Sequence, residues 1–195
     1  MSADVPSLAV NVAVIDGDRV LLTQREDFEV WCLPGGEVEF GESIAEAALR
    51  AVREGLSLEV ELDRLVGLYS RPWLRGYHTA VVFSARVVGG VLWVDPDEVS
   101  ATEYFALAEL PDGLLWGQRE RIVDALSGVG GSIVRSTDVV RPYDVPWERE
   151  ELYAARDASG LKRAAYYRTI AEAFGPEESP AELEPPASEH PQRAE

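Results

Sequence analysis

The most constraining feature of this sequence is the stretch 31–58, WCLPGGEVEFGESIAEAALRAVREGLSL, which predicts a short strand, a glycine turn, a loop and a helix. One proline and two glycines at 34–36 combine a restricted backbone with a permissive one, as a sharp turn requires. Five residues separate Gly36 from Glu42, and seven separate Glu42 from Arg50. This spacing predicts that the turn and the charged side chains of the helix meet at one place.

The helix of this stretch has recognisable start and stop signals. Ser43 can cap its first turn, with Glu46 as the reciprocal partner three residues later. Gly55 is a poor residue for a helix interior and a good one for a C-terminal stop. The sequence therefore predicts a helix that begins near Ser43 and ends near Glu54.

The same stretch resembles the Nudix box, G-x5-E-x7-R-E-U-x-E-E-x-G-U, in which U is a bulky aliphatic residue. Three box positions depart from the pattern, because Ala51 and Gly55 replace glutamates and Ser57 replaces a glycine. The positions that match are Gly36, Glu42, Arg50, Val52, Glu54 and Leu58.

The resemblance implies a protein that cleaves a diphosphate bonded to another group with the help of Mg²⁺ or Mn²⁺. Such a cation needs converging oxygen ligands, and helix positions three and four apart share one face. Of the three box glutamates on that face, only Glu54 remains. The resemblance makes Glu54 the main metal ligand, together with the carbonyl of Gly35. It adds one carboxylate from the 95–103 region, Glu98 or Glu103, although an exposed acidic loop is the alternative.

Three residues of the box are candidate catalytic residues by the same resemblance, namely Glu54, Glu42 and Arg50. In the family, the positions of Glu42 and Arg50 mainly brace the loop against the helix. Glu54 thus carries most of the expected chemistry, and the box is degenerate where the metal would sit.

Three further residues are candidates for contacts with the substrate. Arg25 follows the second strand, where the family often has an arginine that faces the substrate; an exposed arginine at a strand end is the alternative. Gly36 stands in the turn that opens the box. His78 lies in a run, GLYSRPWLRGYHTAVVFSARVVGG, that again looks like the Nudix pattern, although a lone histidine at a strand start is more often structural.

The resemblance covers roughly residues 7–128 and implies an α/β fold, a Nudix-type α/β/α sandwich with a mixed sheet. We expect a Nudix domain at 1–128, an extended segment with two C-terminal helices at 129–174, and a disordered acidic tail at 175–195. The tail is rich in proline and glutamate and has few apolar residues to bury. Apolar patterns within the domain predict strands at 8–15, 19–24, 58–68, 77–88 and 91–94, with a loop at 69–73.

Charge and cysteine content limit the partners and the compartment. The chain has 35 acidic and 18 basic residues, a net charge of −17, which opposes binding to nucleic acid or to anionic lipid. Cys32 is the single cysteine, so an internal disulfide is impossible. No apolar run is long enough to span a membrane. We therefore expect a cytoplasmic protein with a small nucleotide-type ligand. The oligomeric state stays open, with a homodimer among the alternatives.

Two functions follow from the sequence. The first is a Nudix-type hydrolase of a nucleoside diphosphate linked to another moiety, with weak or altered activity because two box glutamates are missing. The alternative is a non-catalytic Nudix-fold module that binds a nucleotide or nucleotide-sugar and has a regulatory role. Ala51 and Gly55 are the departures that keep the second function open.

Overall fold

The fold was analysed in a computed structural model of the chain. It describes residues 7–73, 76–128, 133–136, 149–173 and 181–183, and it describes side chains for 7–70, 78–128 and 149–172. The strands and helices, in chain order, are β1 (Ser7–Asp16), β2 (Arg19–Arg25), β3 (Val30–Cys32), β4 (Gly35–Glu37), α1 (Ile44–Leu56), β5 (Leu58–Trp73), β6 (Gly76–Gly90), β7 (Val99–Ala106), α2 (Gln118–Leu126), β8 (Ile133–Ser136), α3 (Arg149–Ala158), α4 (Arg163–Ala173) and β9 (Ala181–Leu183).

The strands form one mixed sheet with the order β3-β2-β1-β6-β5-β8-β9. β1 is central: it pairs with β6 in parallel and with β2 as an antiparallel hairpin. β4 pairs with β1, and β7 pairs with β2, outside this main order. The mixed sheet predicted from the sequence is therefore confirmed.

Alternate residues of the central strands point to opposite faces, and each face is covered by one helix. Val12 of β1 packs with Val52 of α1, whereas its neighbour Ala13 packs with Ile122 of α2. All four side chains are fully buried. This two-sided core confirms the α/β/α arrangement, and it places helix α1 of the box against the sheet.

Helix α1 begins where the sequence predicts, but it ends two residues beyond the predicted end. Ser43 caps the helix in a full capping box with Glu46. The predicted end near Glu54 is wrong, because α1 continues through Gly55 to Leu56. The side chain of Leu56 is fully buried, and Ser57 adopts a left-handed conformation with φ 55° that closes the last turn. Burial of one leucine thus outweighs the helix-breaking tendency of the preceding glycine.

Two other local predictions differ from the structure. The predicted loop at 69–73 continues strand β5, because Tyr69 and its neighbours pair with β6 up to its first residue. The predicted strand at 91–94 is irregular, and the backbone N–H of Trp93 instead donates to the carbonyl of Leu56 over 3.0 Å. This segment therefore packs alongside the end of α1 and does not form a hairpin.

The C-terminal extension contains both predicted helices, α3 and α4, on either side of Ser159-Gly160. Within the segment predicted to lack regular structure, residues Ala181–Leu183 form β9 and pair with β8, so the prediction is wrong for these three residues. The rest of the predicted tail lies outside the described residues. No helix within the described ranges is long and apolar enough to cross a membrane.

Candidate active site

A cavity of about 900 Å³ opens beside the glycine turn, between β1, α1, the loop before β7 and α3. Its wall brings together residues that are far apart in the sequence. The predicted site residues that line it are Arg25, Gly35, Gly36, His78 and Glu98.

The glycine turn is fixed by the close approach of β4 to β1. A Cβ atom on Gly35 would lie 2.1 Å from the carbonyl oxygen of Val10, so no other residue fits there. The N–H of Val12 donates to the carbonyl of Pro34 over 2.8 Å and holds the start of the turn. A Cβ on Gly36 would lie 3.8 Å from the Cβ of Ala51, which places α1 directly beside the turn.

Glu42 and Arg50 brace the box loop against α1, as the resemblance implies for their positions. Arg50 donates to both carboxylate oxygens of Glu42, over 3.0 and 2.7 Å, and to the carbonyl of Glu37 over 2.9 Å. Hydrogen bonds from Arg50, together with one from the N–H of Glu39, lower the pKa of Glu42 to about 2. Neither Glu42 nor Arg50 lines the cavity. Their catalytic role stays a prediction.

Glu54 does not line the cavity either. Its side chain is 61% exposed and lies 3.2 Å from Nη1 of Arg50. The residues of α1 that do face the cavity are Ala51, Gly55 and Leu56. Because two of these stand where the box has glutamates, the cavity wall contributed by the helix is free of carboxylates.

The Mg²⁺ or Mn²⁺ that the resemblance implies would need several oxygen ligands close together. Across the described residues, no three His, Cys, Asp or Glu side chains lie close enough together to hold a metal ion. Of the predicted ligands, Gly35 and Glu98 line the cavity, whereas Glu54 is turned to Arg50 and solvent. The residues present therefore do not fit the multi-carboxylate site of a full box.

Helix α2 supplies a buried polar group at the cavity that the sequence analysis missed. Arg121 is only 4% exposed, and its Nη1 donates to Oδ1 of Asn11 over 2.6 Å. Gln118 accepts a hydrogen bond from the N–H of Leu33 over 3.2 Å. The sequence signal that could have indicated them is the presence of polar residues near Ile122, on the buried face of this short helix. Asn11, Gln118 and Arg121 give the cavity a polar wall.

Arg25 lines the cavity and its guanidinium is paired with Asp27, whereas its contact with a substrate stays a prediction. Nε of Arg25 donates to Oδ1 of Asp27 over 2.9 Å, and the hydroxyl of Tyr153 donates to Oδ2. Burial alone would raise the pKa of Asp27, but these two hydrogen bonds and the charge of Arg25 lower it below its usual range. His78 lies 2.7 Å from the hydroxyl of Ser7 through Nδ1.

The C-terminal helices pack on the turn after β2. Phe28 is 6% exposed and lies between the rings of Tyr153 and Tyr167, with centroid distances of 5.8 and 5.7 Å. Arg156 lies 4.8 Å above the ring of Tyr153. As a result, Arg149 and Tyr153 of α3 form part of the cavity wall, a contribution that the sequence did not reveal.

Comparisons with known proteins agree with this geometry. A NUDIX domain matches residues 5–126. An ADP-ribose pyrophosphatase of Methanocaldococcus jannaschii is 34% identical over 54% of this chain and 65% of that protein. A MutT-like protein of Streptomyces ambofaciens is 34% identical over 65% and 80%, respectively. The crystal structure of an ADP-ribose pyrophosphatase from Streptococcus suis, 28% identical, has a TM-score of 0.56 and covers 68% of this chain and 99% of that one. The chain therefore belongs to the Nudix family.

Proposed function

We propose that this protein binds a nucleoside diphosphate linked to another moiety and hydrolyses its pyrophosphate bond with low turnover. The observation that carries the proposal is the cavity of about 900 Å³ at the turn Gly35-Gly36, a volume suited to a ligand of this size. The turn lies beside α1, and the Glu42–Arg50 brace holds the box loop in place. The names of the similar proteins, which include two ADP-ribose pyrophosphatases, support this class of ligand.

In this proposal the residues of the cavity bind and orient the ligand. Arg25 and His78 supply donors for phosphate oxygens, and the buried Arg121 supplies a polar contact at the wall from α2. Glu98 is the predicted carboxylate that lines the cavity, so it is our candidate to accept a proton from an attacking water. Turnover is low because Ala51 and Gly55 leave the helix without the anions that would converge on a cation.

A second candidate is the non-catalytic module that binds a nucleotide or nucleotide-sugar. The observation that favours it is the same pair of cavity positions, Ala51 and Gly55, combined with the orientation of Glu54 away from the cavity. Both candidates use the same ligand site and differ only in the bond cleavage. In either case we propose a cytoplasmic location, in keeping with the lone Cys32.

A panel of nucleoside diphosphate derivatives separates the two candidates. ADP-ribose, a UDP-sugar and 8-oxo-dGTP are tested for binding by calorimetry and for release of phosphate-containing products, with Mg²⁺ or Mn²⁺ and with chelator. Slow, enzyme-dependent cleavage of one compound supports the hydrolase. Binding without cleavage supports the module, and neither binding nor cleavage of any compound contradicts both. Glu98→Gln, which removes the charge with little change in shape, should abolish cleavage and retain binding.

A further inference from the structure

The C-terminal helix α3 has a role at the cavity that the matched domain does not account for. We propose that Arg149 binds the diphosphate group of the ligand directly and supplies positive charge that the degenerate box does not recruit through a metal. The proposal rests on the proposed ligand class, although it is independent of whether the bond is cleaved. The matched domain ends at residue 126, so α3 is an addition to it.

Helix α3 reaches the cavity with its first turn. Arg149 and Tyr153, one helical turn apart, line the same cavity as the turn Gly35-Gly36. Tyr153 is held in place by the Asp27 carboxylate, and the guanidinium of Arg149 lies 5.9 Å from the centroid of its ring. The ring thus lies beside the guanidinium of Arg149, and Arg149 is exposed at the rim of the cavity.

The cavity is rich in negative charge. Four carboxylates line it, those of Asp27, Glu37, Asp97 and Glu98. Only Asp27 among these four is neutralised by a salt bridge within the described part of the chain, and its partner is Arg25. A diphosphate adds further negative charge, which is costly to bring near unpaired carboxylates unless a cation accompanies it.

The arginines at the cavity differ in how far their charge is already compensated. Two other arginines line the cavity: the charge of Arg25 is compensated by Asp27, and the buried Arg121 donates to Asn11. The salt bridges among the described residues do not include Arg149. A guanidinium is planar and always charged, and it binds phosphate oxygens in pairs without loss of a strongly held hydration shell. Arg149 is therefore the cation at the cavity rim that suits a diphosphate.

The test uses the full chain and inorganic pyrophosphate, which isolates the diphosphate from any nucleobase. Binding is measured by calorimetry in the presence of chelator for wild type, Arg149→Ala, Arg149→Lys and the matched control Arg168→Ala. Arg168 is an exposed arginine of α4 that does not line the cavity, so its loss changes the net charge equally. Melting curves confirm that the variants are folded, which is expected because Arg149 is exposed.

We expect Arg149→Ala to weaken pyrophosphate binding about tenfold, the effect of one charged hydrogen-bonded contact. Arg149→Lys should lose less affinity, and Arg168→Ala should bind pyrophosphate like wild type. High ionic strength should reduce the difference in affinity between wild type and Arg149→Ala. Equal binding by Arg149→Ala and wild type overturns the proposal, as does wild-type binding that requires added Mn²⁺. Either result leaves the proposed function standing, because the nucleotide panel tests that function separately.

Discussion

The hydroxyl of Tyr153 donates a hydrogen bond to the carboxylate of Asp27 over 2.9 Å, across 126 residues of sequence. The same carboxylate accepts a hydrogen bond from Arg25, at the end of β2. One acidic side chain therefore joins the candidate substrate-binding arginine to the C-terminal extension. Changes in the extension should reach the cavity through this contact.

Loss of the Tyr153 hydroxyl should weaken the attachment of α3. In Tyr153→Phe the aromatic packing remains, but Asp27 loses one of its donors, so we expect about 1 kcal/mol of destabilisation. Denaturant unfolding measures the change. Tyr166→Phe is the control, because the hydroxyl of Tyr166 makes no hydrogen bond within the described ranges. Equal stability of the two variants would show that the contact with Asp27 contributes nothing.

Removal of the Phe28 ring should release the two C-terminal helices. The ring is buried between Tyr153 and Tyr167, and a change from phenylalanine to alanine in such a site costs about 3–5 kcal/mol. In Phe28→Ala, hydrogen exchange across 149–172 should accelerate more than exchange in α1. The control is Phe40→Ala. Because Phe40 is fully exposed, this change should leave hydrogen exchange unchanged both across 149–172 and in α1. Uniform acceleration throughout the chain would instead indicate global destabilisation.

Local signals explain which parts of the fold could be predicted. Ser43 and Glu46 lie three residues apart, and their reciprocal hydrogen bonds set the start of α1 without help from the rest of the chain. The end of α1 depends on Leu56, whose burial is provided by strands elsewhere in the sequence. The helix-stop tendency of Gly55 is a local property and does not reflect the burial of Leu56. The predicted end was therefore wrong.

The candidate site divides in the same way. Gly35 and Gly36 could be placed at the site from the box spacing and Arg25 from the family resemblance, and each lines the cavity. The pairing of Arg25 with Asp27 and the contribution of Tyr153 depend on how the extension packs, which no short spacing encodes. Glu54 forms an ion pair with Arg50, an interaction between side chains that the box pattern does not describe.

Restoring the box carboxylates should create a response to metal. Ala51 and Gly55 line the cavity, and a Cβ on Gly55 meets nothing within 4 Å, so Ala51→Glu plus Gly55→Glu places two anions there. Without metal, repulsion among the acids should lower the melting temperature at low salt. Added Mg²⁺ or Mn²⁺ should raise the melting temperature more than in wild type, because a ligand of the folded state stabilises it.

The matched control for this repair is Gly55→Ala. It removes the helix-destabilising glycine without adding charge, so it should stabilise α1 by about 1 kcal/mol and show no new metal response. Faster cleavage of the pyrophosphate bond of a nucleoside diphosphate derivative by the double variant supports a site that lacks only its metal-binding carboxylates. An unchanged metal response and unchanged turnover would favour the binding module.

The Glu42–Arg50 pair should make stability depend on acid pH. The folded pKa of Glu42 is lowered from 4.5 to about 2, so its contribution is present above pH 4.5 and is lost as the pH falls towards 2. Glu42→Gln should be less stable than wild type at neutral pH and should lose less stability across this window. Urea midpoints at several pH values measure the effect, with Glu151→Gln, a change at an exposed residue of α3, as the control. Parallel curves for Glu42→Gln and wild type would contradict the assignment.

The extension attaches to both ends of the strand order, and this has a consequence for how the chain assembles. β8 and β9 lengthen the sheet beyond β5, whereas α3 and α4, which lie between them in sequence, contact the 26–29 turn beside β2 and β3. Contacts with such long sequence separations form only after a large loss of chain entropy. During synthesis the domain can therefore fold first, and the extension closes over it last. In the folded protein the extension should also be the first part to unfold locally. The side of the cavity that α3 forms should therefore be lost before the other sides.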